Sequence, residues 1–217
     1  MFVNNLDPVA FEFLSFQIRW YSLAYIFGFL IGWFYIKNFL IKDLREKTLV
    51  DAFITYLILG VIIGGRLGYV IFYNFFYYLS HPFEIFFIWQ GGMSFHGGLL
   101  GVCLATYIFT QKYNLNFFRY TDLVSLAAPI GIFLGRVANF INSELYGRET
   151  DFIFSVNFNK VDNLFRHPSQ LYESFFEGIV LFIILNLLYK KFSEIPGVIS
   201  SLCLIFYCLF RFIIEFT

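Results

Sequence analysis

The stretch at residues 51–74, DAFITYLILGVIIGGRLGYVIFYN, decides how the rest of the chain is read. After Asp51 its one charged residue is Arg66, and no polar stripe recurs at helical spacing. A helix rises about 1.5 Å per residue and satisfies its own backbone, so roughly 20 such residues cross a hydrocarbon core about 30 Å thick. Comparable apolar blocks lie at 20–36, 94–111, 122–142, 171–189 and 197–216. A chain that is 59% hydrophobic, 24% aromatic and 14% charged has too little polar surface to clothe a water-soluble globule, and no amphipathic segments exist to wrap six buried helices. The expectation is an all-α fold: one polytopic transmembrane bundle over residues 1–217, with about six spans.

Residues 1–10 contain Asp7 and Pro8 and no Lys or Arg, so a cleavable signal peptide is not expected and the first span stays. Cys103, Cys203 and Cys208 sit inside apolar blocks without metal spacing and read as packing residues. Orientation follows from loop cations. Lys37, Lys42, Arg45 and Lys47, then Lys112 and Arg119, then Lys190 and Lys191 mark three cytoplasmic connections. The segment 75–92 has no Lys or Arg, and 143–170 mixes both signs, so these two and the N-terminus are expected on the outer side. Zero formal net charge gives no reason to expect nucleic acid or general attraction to an acidic surface.

Charge inside a span is costly unless paired, hydrated or functional. Arg66, Arg136 and Arg211 lie 15, 14 and 14 residues from the expected cytoplasmic span starts at Asp51, Asp122 and Gly197. That spacing puts all three roughly 21 to 23 Å into the core, in its outer half. His96 and Tyr21 open their spans from the same side, so five polar groups are expected in one layer. Every embedded cation is Arg, whose planar fork grips phosphate with two parallel hydrogen bonds, whereas snorkelling to headgroups would suit Lys equally well. Tyr207, Arg211 and Glu215 fall at i, i+4 and i+8 on one helix face, where Arg211 and Glu215 could also be a purely structural pair. Asn139 shares a face with Arg136. Gly60, Gly64 and Gly68, and Gly28 with Gly32, read as close-packing grooves.

His96 sits between glycine pairs in WQGGMSFHGGLLG, residues 89–101, at a helix start. Histidine suits proton transfer near neutrality, and a helix N-terminus favours an anion, although a lone boundary histidine is as often a structural donor. His81 lies in a loop before Pro82, and His167, in RHPSQLYE, is the reserve candidate.

The run 135–147, GRVANFINSELYG, resembles the signature of the prolipoprotein diacylglyceryl transferases of the bacterial inner membrane. IRWYSLAYIFGF around Tyr21, GGRLGYVIFYN around Arg66, WQGGMSFHGG around His96, RHPSQLYES around His167 and YCLFRFIIEF around Arg211 extend the likeness over essentially the whole chain. The resemblance implies a multi-pass inner-membrane transferase with a periplasmic N-terminus and a periplasmic loop at 143–170. It moves the sn-1,2-diacylglyceryl group of phosphatidylglycerol to the lipobox cysteine of a prolipoprotein signal peptide, the first step of lipoprotein maturation. It also implies His96, Arg136 and Arg211 as catalytic residues, with Tyr21, Arg66, Asn139, Asn142, Glu144 and Tyr207 around the substrate, and no metal or soluble cofactor. The family usually carries a further span, its seventh, after the stretch matching 211–216, and this sequence stops at Thr217. An anion or lipid transporter, or a non-catalytic lipid-binding protein, are the competing classes; neither an internal repeat nor a mid-bilayer site supports transport.

Overall fold

The structure, a computed structural model, describes residues 2–13 and 16–217. It is helical throughout its apolar blocks, with seven helices of six or more residues among the described residues once contiguous helical segments are joined. These are α1 (Trp20–Leu40), α2 (Leu44–Phe72), α3 (Phe75–Ser80), α4 (Phe95–Lys112), α5 (Phe117–Asn142), α6 (Ser169–Phe192) and α7 (Val198–Ile214). Four of them, α1, α2, α5 and α6, are long and apolar enough to cross a membrane. The other two predicted spans correspond to α4, of 18 residues, and α7, of 17. The segment 75–92, expected as a plain loop, instead holds α3 and two short 3-10 turns, Pro82–Phe86 and Ile88–Gln90.

The chain forms two compact units, residues 37–121 and residues 1–36 with 122–217. The first is built on α2 and α4. Asp43 caps α2 by accepting from the Arg45 amide at 2.9 Å, and Ser94 caps α4 by accepting from the Gly97 amide at 3.2 Å. Between them the glycines let two backbones touch: a Cβ on Gly64 would fall 2.7 Å from Gly101 Cα, and one on Gly68 2.7 Å from Gly97 Cα. Small residues at such a crossing replace a hydrophobic driving force, which lipid cannot supply, with close van der Waals contact. Phe53, Phe109 and Tyr120, all buried, close the other end of this unit as an aromatic cluster.

The second unit contains most of α1 and α5, with α6 and α7. Gly28 and Gly32 on α1 lie against Gly131 and Ala127 of α5, at 3.2 and 3.5 Å from a Cβ placed on each. The Tyr35 hydroxyl donates to Asn186 Oδ1 and ties α1 to α6. Asp122, buried, accepts from the amides of Gly197 and Ser200 at 2.7 Å each and so caps α7 from α5. Two small sheets complete the unit. Strands β1 (Phe2–Val3) and β4 (Val156–Asn157) run parallel, β4 pairs antiparallel with β5 (Phe165–Arg166), and β2 (Val9–Phe13) pairs antiparallel with β3 (Phe16–Arg19) through an irregularity at Val9 and Phe11. The segment 143–168 is thereby pinned to the N-terminus. Asn4, fully buried, donates to the Phe140 carbonyl at 2.7 Å, and Phe140, Val156 and Phe158 form an apolar cluster.

Candidate active site

Seven of the predicted site residues, Tyr21, Arg136, Asn139, Asn142, Glu144, Tyr207 and Arg211, belong to the unit of residues 1–36 and 122–217. The fold gathers them at one end of α5, α6 and α7. Arg136 on α5 approaches two carboxylates of α6, with Nε 3.0 Å from Glu173 Oε2 and an NH2 group 3.5 Å from Glu177 Oε2. The other Glu173 oxygen contacts NH1 of Arg211 on α7, and Arg211 NH2 lies 3.0 Å from Glu215 at the predicted i, i+4 spacing. Glu173 is 2% exposed and Glu177 0%, so both acids are held in the protein interior by these cations. The Tyr207 hydroxyl lies beside Arg136 and Glu177, and Tyr21 lies within electrostatic reach of Arg136 and Glu144.

Local sequence explains the placement. From Ser174 to Val180, α6 widens into π-helical winding, a rare form often found at functional sites. Gly178 lets α6 close on α5, since a Cβ there would lie 2.7 Å from that of Phe133. Ser174 also donates to the Phe133 carbonyl at 3.3 Å. Beyond α5 the signature turns through two non-glycine residues in left-handed geometry, Ser143 at φ 60° and Leu145 at φ 55°. That turn folds Glu144 back, so that its two oxygens accept from Asn139 at 3.3 Å and Asn142 at 3.4 Å. Gln170 fixes the turn by donating to the Glu144 carbonyl at 2.6 Å, and the Gly147 amide donates to the His167 carbonyl at 2.9 Å. The two segments of the resemblance around 135–147 and 166–174 are thus joined directly.

Arg66 and His96 belong to the other unit. Arg66 is 4% exposed, and its guanidinium is wrapped by five backbone carbonyls. Nε donates to Ile85 at 2.8 Å, NH1 to Gly91 at 2.6 and Gly92 at 3.2 Å, and NH2 to Glu84 at 2.7 and Phe87 at 3.4 Å. A guanidinium has five N–H donors, so this residue, expected around the substrate, gives all of them to the segment 84–92. His96 is exposed in the first turn of α4, edge-on to Phe95. The backbone leading to it is fixed on both sides, by Arg66 at Gly91 and Gly92 and by the Ser94 amide on the Gly65 carbonyl at 2.9 Å. His81 stacks on Tyr77, and His167 Nδ1 is 3.3 Å from the Tyr172 hydroxyl.

Glu173 and Glu177, which pair with the predicted arginines, are not among the residues expected from the sequence. The signal was present: two acids four residues apart inside an apolar span are as costly as the arginines that were noticed. Among the described residues no group of three or more His, Cys, Asp and Glu has the arrangement of a metal site. An open apolar recess of about 640 Å³, walled by Phe2, Phe140, Phe154, Leu171 and Tyr172, is lined by none of the predicted site residues. Outside the spans, Arg166 pairs with Asp162 at 2.7 Å and covers the Tyr146 ring at 5.0 Å, and this hydrogen bond holds the Asp162 carboxyl below the usual carboxylate range.

Residues 8–217 match the family described as prolipoprotein diacylglyceryl transferase. Relatives named phosphatidylglycerol--prolipoprotein diacylglyceryl transferase align along nearly the whole chain. The Rickettsia typhi protein is 48% identical over 99% of this chain and 85% of its own length. The Rickettsia canadensis protein is 50% identical with the same coverages, and that of Ehrlichia ruminantium (strain Welgevonden) is 46% identical over 98% of this chain and 83% of its own. With a family match that takes in all the motifs from Tyr21 to Arg211, the chain belongs to the prolipoprotein diacylglyceryl transferase family.

Proposed function

We propose that this protein transfers the sn-1,2-diacylglyceryl group of phosphatidylglycerol to the lipobox cysteine of prolipoprotein signal peptides, as a multi-pass protein of the bacterial inner membrane. The observation that carries the reading is the joining of Arg136 and Arg211 through Glu173 in a protein whose near full-length relatives are named for this reaction.

The chemistry is displacement at carbon. A thiolate forms the new C–S bond at the glyceryl carbon while the C–O bond to phosphate breaks, and glycerol phosphate leaves with the electron pair. Charge gathers on phosphate as that bond breaks, so cations placed there in advance stabilise the transition state more than the ground state. Arg136 and Arg211 take this role: their planar forks match phosphate oxygens and stay protonated in a partly dry site. Asn139, Asn142 and Glu144 form one hydrogen-bonded group at the end of α5, suited to the hydroxyls of a glycerol headgroup, with Tyr21 and Tyr207 beside Arg136. The thiol must lose its proton before it attacks, and His96 is assigned to that proton or to the headgroup. The bilayer supplies the lipid donor and the signal peptide arrives as the second substrate.

The test is turnover by the purified protein, given phosphatidylglycerol with a labelled glycerol headgroup and a peptide carrying a lipobox cysteine. Release of labelled glycerol phosphate that depends on the peptide is expected. Release without peptide, or none with it, contradicts the reading.

A further inference from the structure

We infer that Glu173 is the positioning residue of the phosphate-binding pair: one carboxylate sets the separation and orientation of Arg136 and Arg211. The inference rests on the transferase reading above. Three helices meet in this contact, α5 through Arg136, α6 through Glu173 and α7 through Arg211. Glu177 pairs with Arg136 and Glu215 with Arg211, each touching one cation, whereas Glu173 gives one oxygen to each. Two guanidinium groups repel each other, and an anion shared between them removes that repulsion and fixes their distance. Burial of Glu173 to 2% exposure keeps water from doing the same work with looser geometry. A carboxylate has no attraction for a phosphate, so Glu173 acts through the arginines rather than on the lipid.

The contact also fixes which edges of the arginines are taken. Arg136 faces Glu173 through Nε as a charge pair without hydrogen-bond geometry, and Arg211 faces it through NH1, both from the α6 side. An amide in place of the carboxylate keeps the shape but turns one of its two acceptors into a donor, which faces a guanidinium with nothing to accept. Aspartate keeps the charge and both acceptors, but it is one methylene shorter and cannot reach both cations from the same backbone position. The two substitutions therefore separate charge from reach.

Unmodified protein, Glu173→Gln and Glu173→Asp are compared by melting temperature in detergent, and by kcat and KM for phosphatidylglycerol with a lipobox peptide. Charge on the phosphate grows during C–O cleavage, so misplaced arginines act mainly on kcat. Glu173→Gln is expected to lower kcat at least ~30-fold with KM within ~3-fold of the parent, and Glu173→Asp to lower it by ~10-fold, both melting near the parent temperature. Parent-like kcat in a folded Glu173→Gln protein overturns the inference, as does a loss that appears in KM alone. If Glu173→Gln does not fold, Glu173→Asp decides: a folded protein with reduced kcat and kept KM supports positioning. Unchanged kcat in that variant, or its failure to fold as well, assigns Glu173 to stability and overturns the inference. Absence of product from the unmodified protein defeats the transferase reading itself, which distinguishes the two failures.

Discussion

Arg66 and Arg136 are the same side chain in apolar helices, yet their partners are of opposite kinds. Arg66 meets neutral carbonyls that use all its donors, and Arg136 meets the carboxylates of Glu173 and Glu177. Their lysine variants are therefore expected to fail differently. Arg136→Lys keeps the charge and loses the fork, and transfer activity should fall on the order of 100-fold with the melting temperature little changed. Arg66→Lys leaves several buried carbonyls without donors and should destabilise the folded protein by about 2–4 kcal/mol, read by thermal unfolding in detergent, with KM for lipid unaltered in the folded fraction. For His96→Asn, loss of a general base lowers kcat on the order of 100-fold or more, whereas loss of a headgroup ligand raises KM; steady-state kinetics distinguish the two roles. The embedded arginines were legible from sequence because charge in an apolar run is conspicuous. Their division between carbonyl and carboxylate partners was not, because a residue's own helix does not reveal which backbone or side chain another segment brings to it.

At the scale of elements, the glycine rows at residues 60, 64 and 68 were legible as a packing face because their spacing of four places them on one side of α2. The partner, α4 with its own Gly97 and Gly101, needed the structure. Gly64→Ala puts a methyl group 2.7 Å from Gly101 Cα, where backbone must move, and should cost about 1–3 kcal/mol in detergent unfolding. Gly131→Ala on α5 meets nothing within 4 Å and should be neutral to slightly stabilising. Glu173 and Glu177 illustrate the same asymmetry, since both oxygens of Glu173 are explained only by helices far along the chain. Outside the spans, the Arg166 hydrogen bond lowers the Asp162 carboxyl's pKa in the folded protein. A depressed carboxyl contributes stability above its unfolded pKa and loses it as pH falls through the folded value. The segment 149–166 should therefore become more open to protease only on acidification below the usual carboxylate range, and Asp162→Asn should remove that acid dependence.

For the molecule as a whole, composition and block length made a helical membrane protein legible, and the motifs from Tyr21 to Arg211 made the family legible. Span number was less so: α4 and α7 are shorter than the others, and hydropathy alone cannot tell a short span from an apolar helix packed on its neighbours. Mass spectrometry of a lipobox peptide incubated with the protein and phosphatidylglycerol tests the central claim most directly, with a Cys→Ser peptide as control. A diacylglyceryl increment on the cysteine peptide alone, matched one to one by released glycerol phosphate, is the predicted result. An unmodified cysteine peptide, or an increment on the serine control, would contradict it.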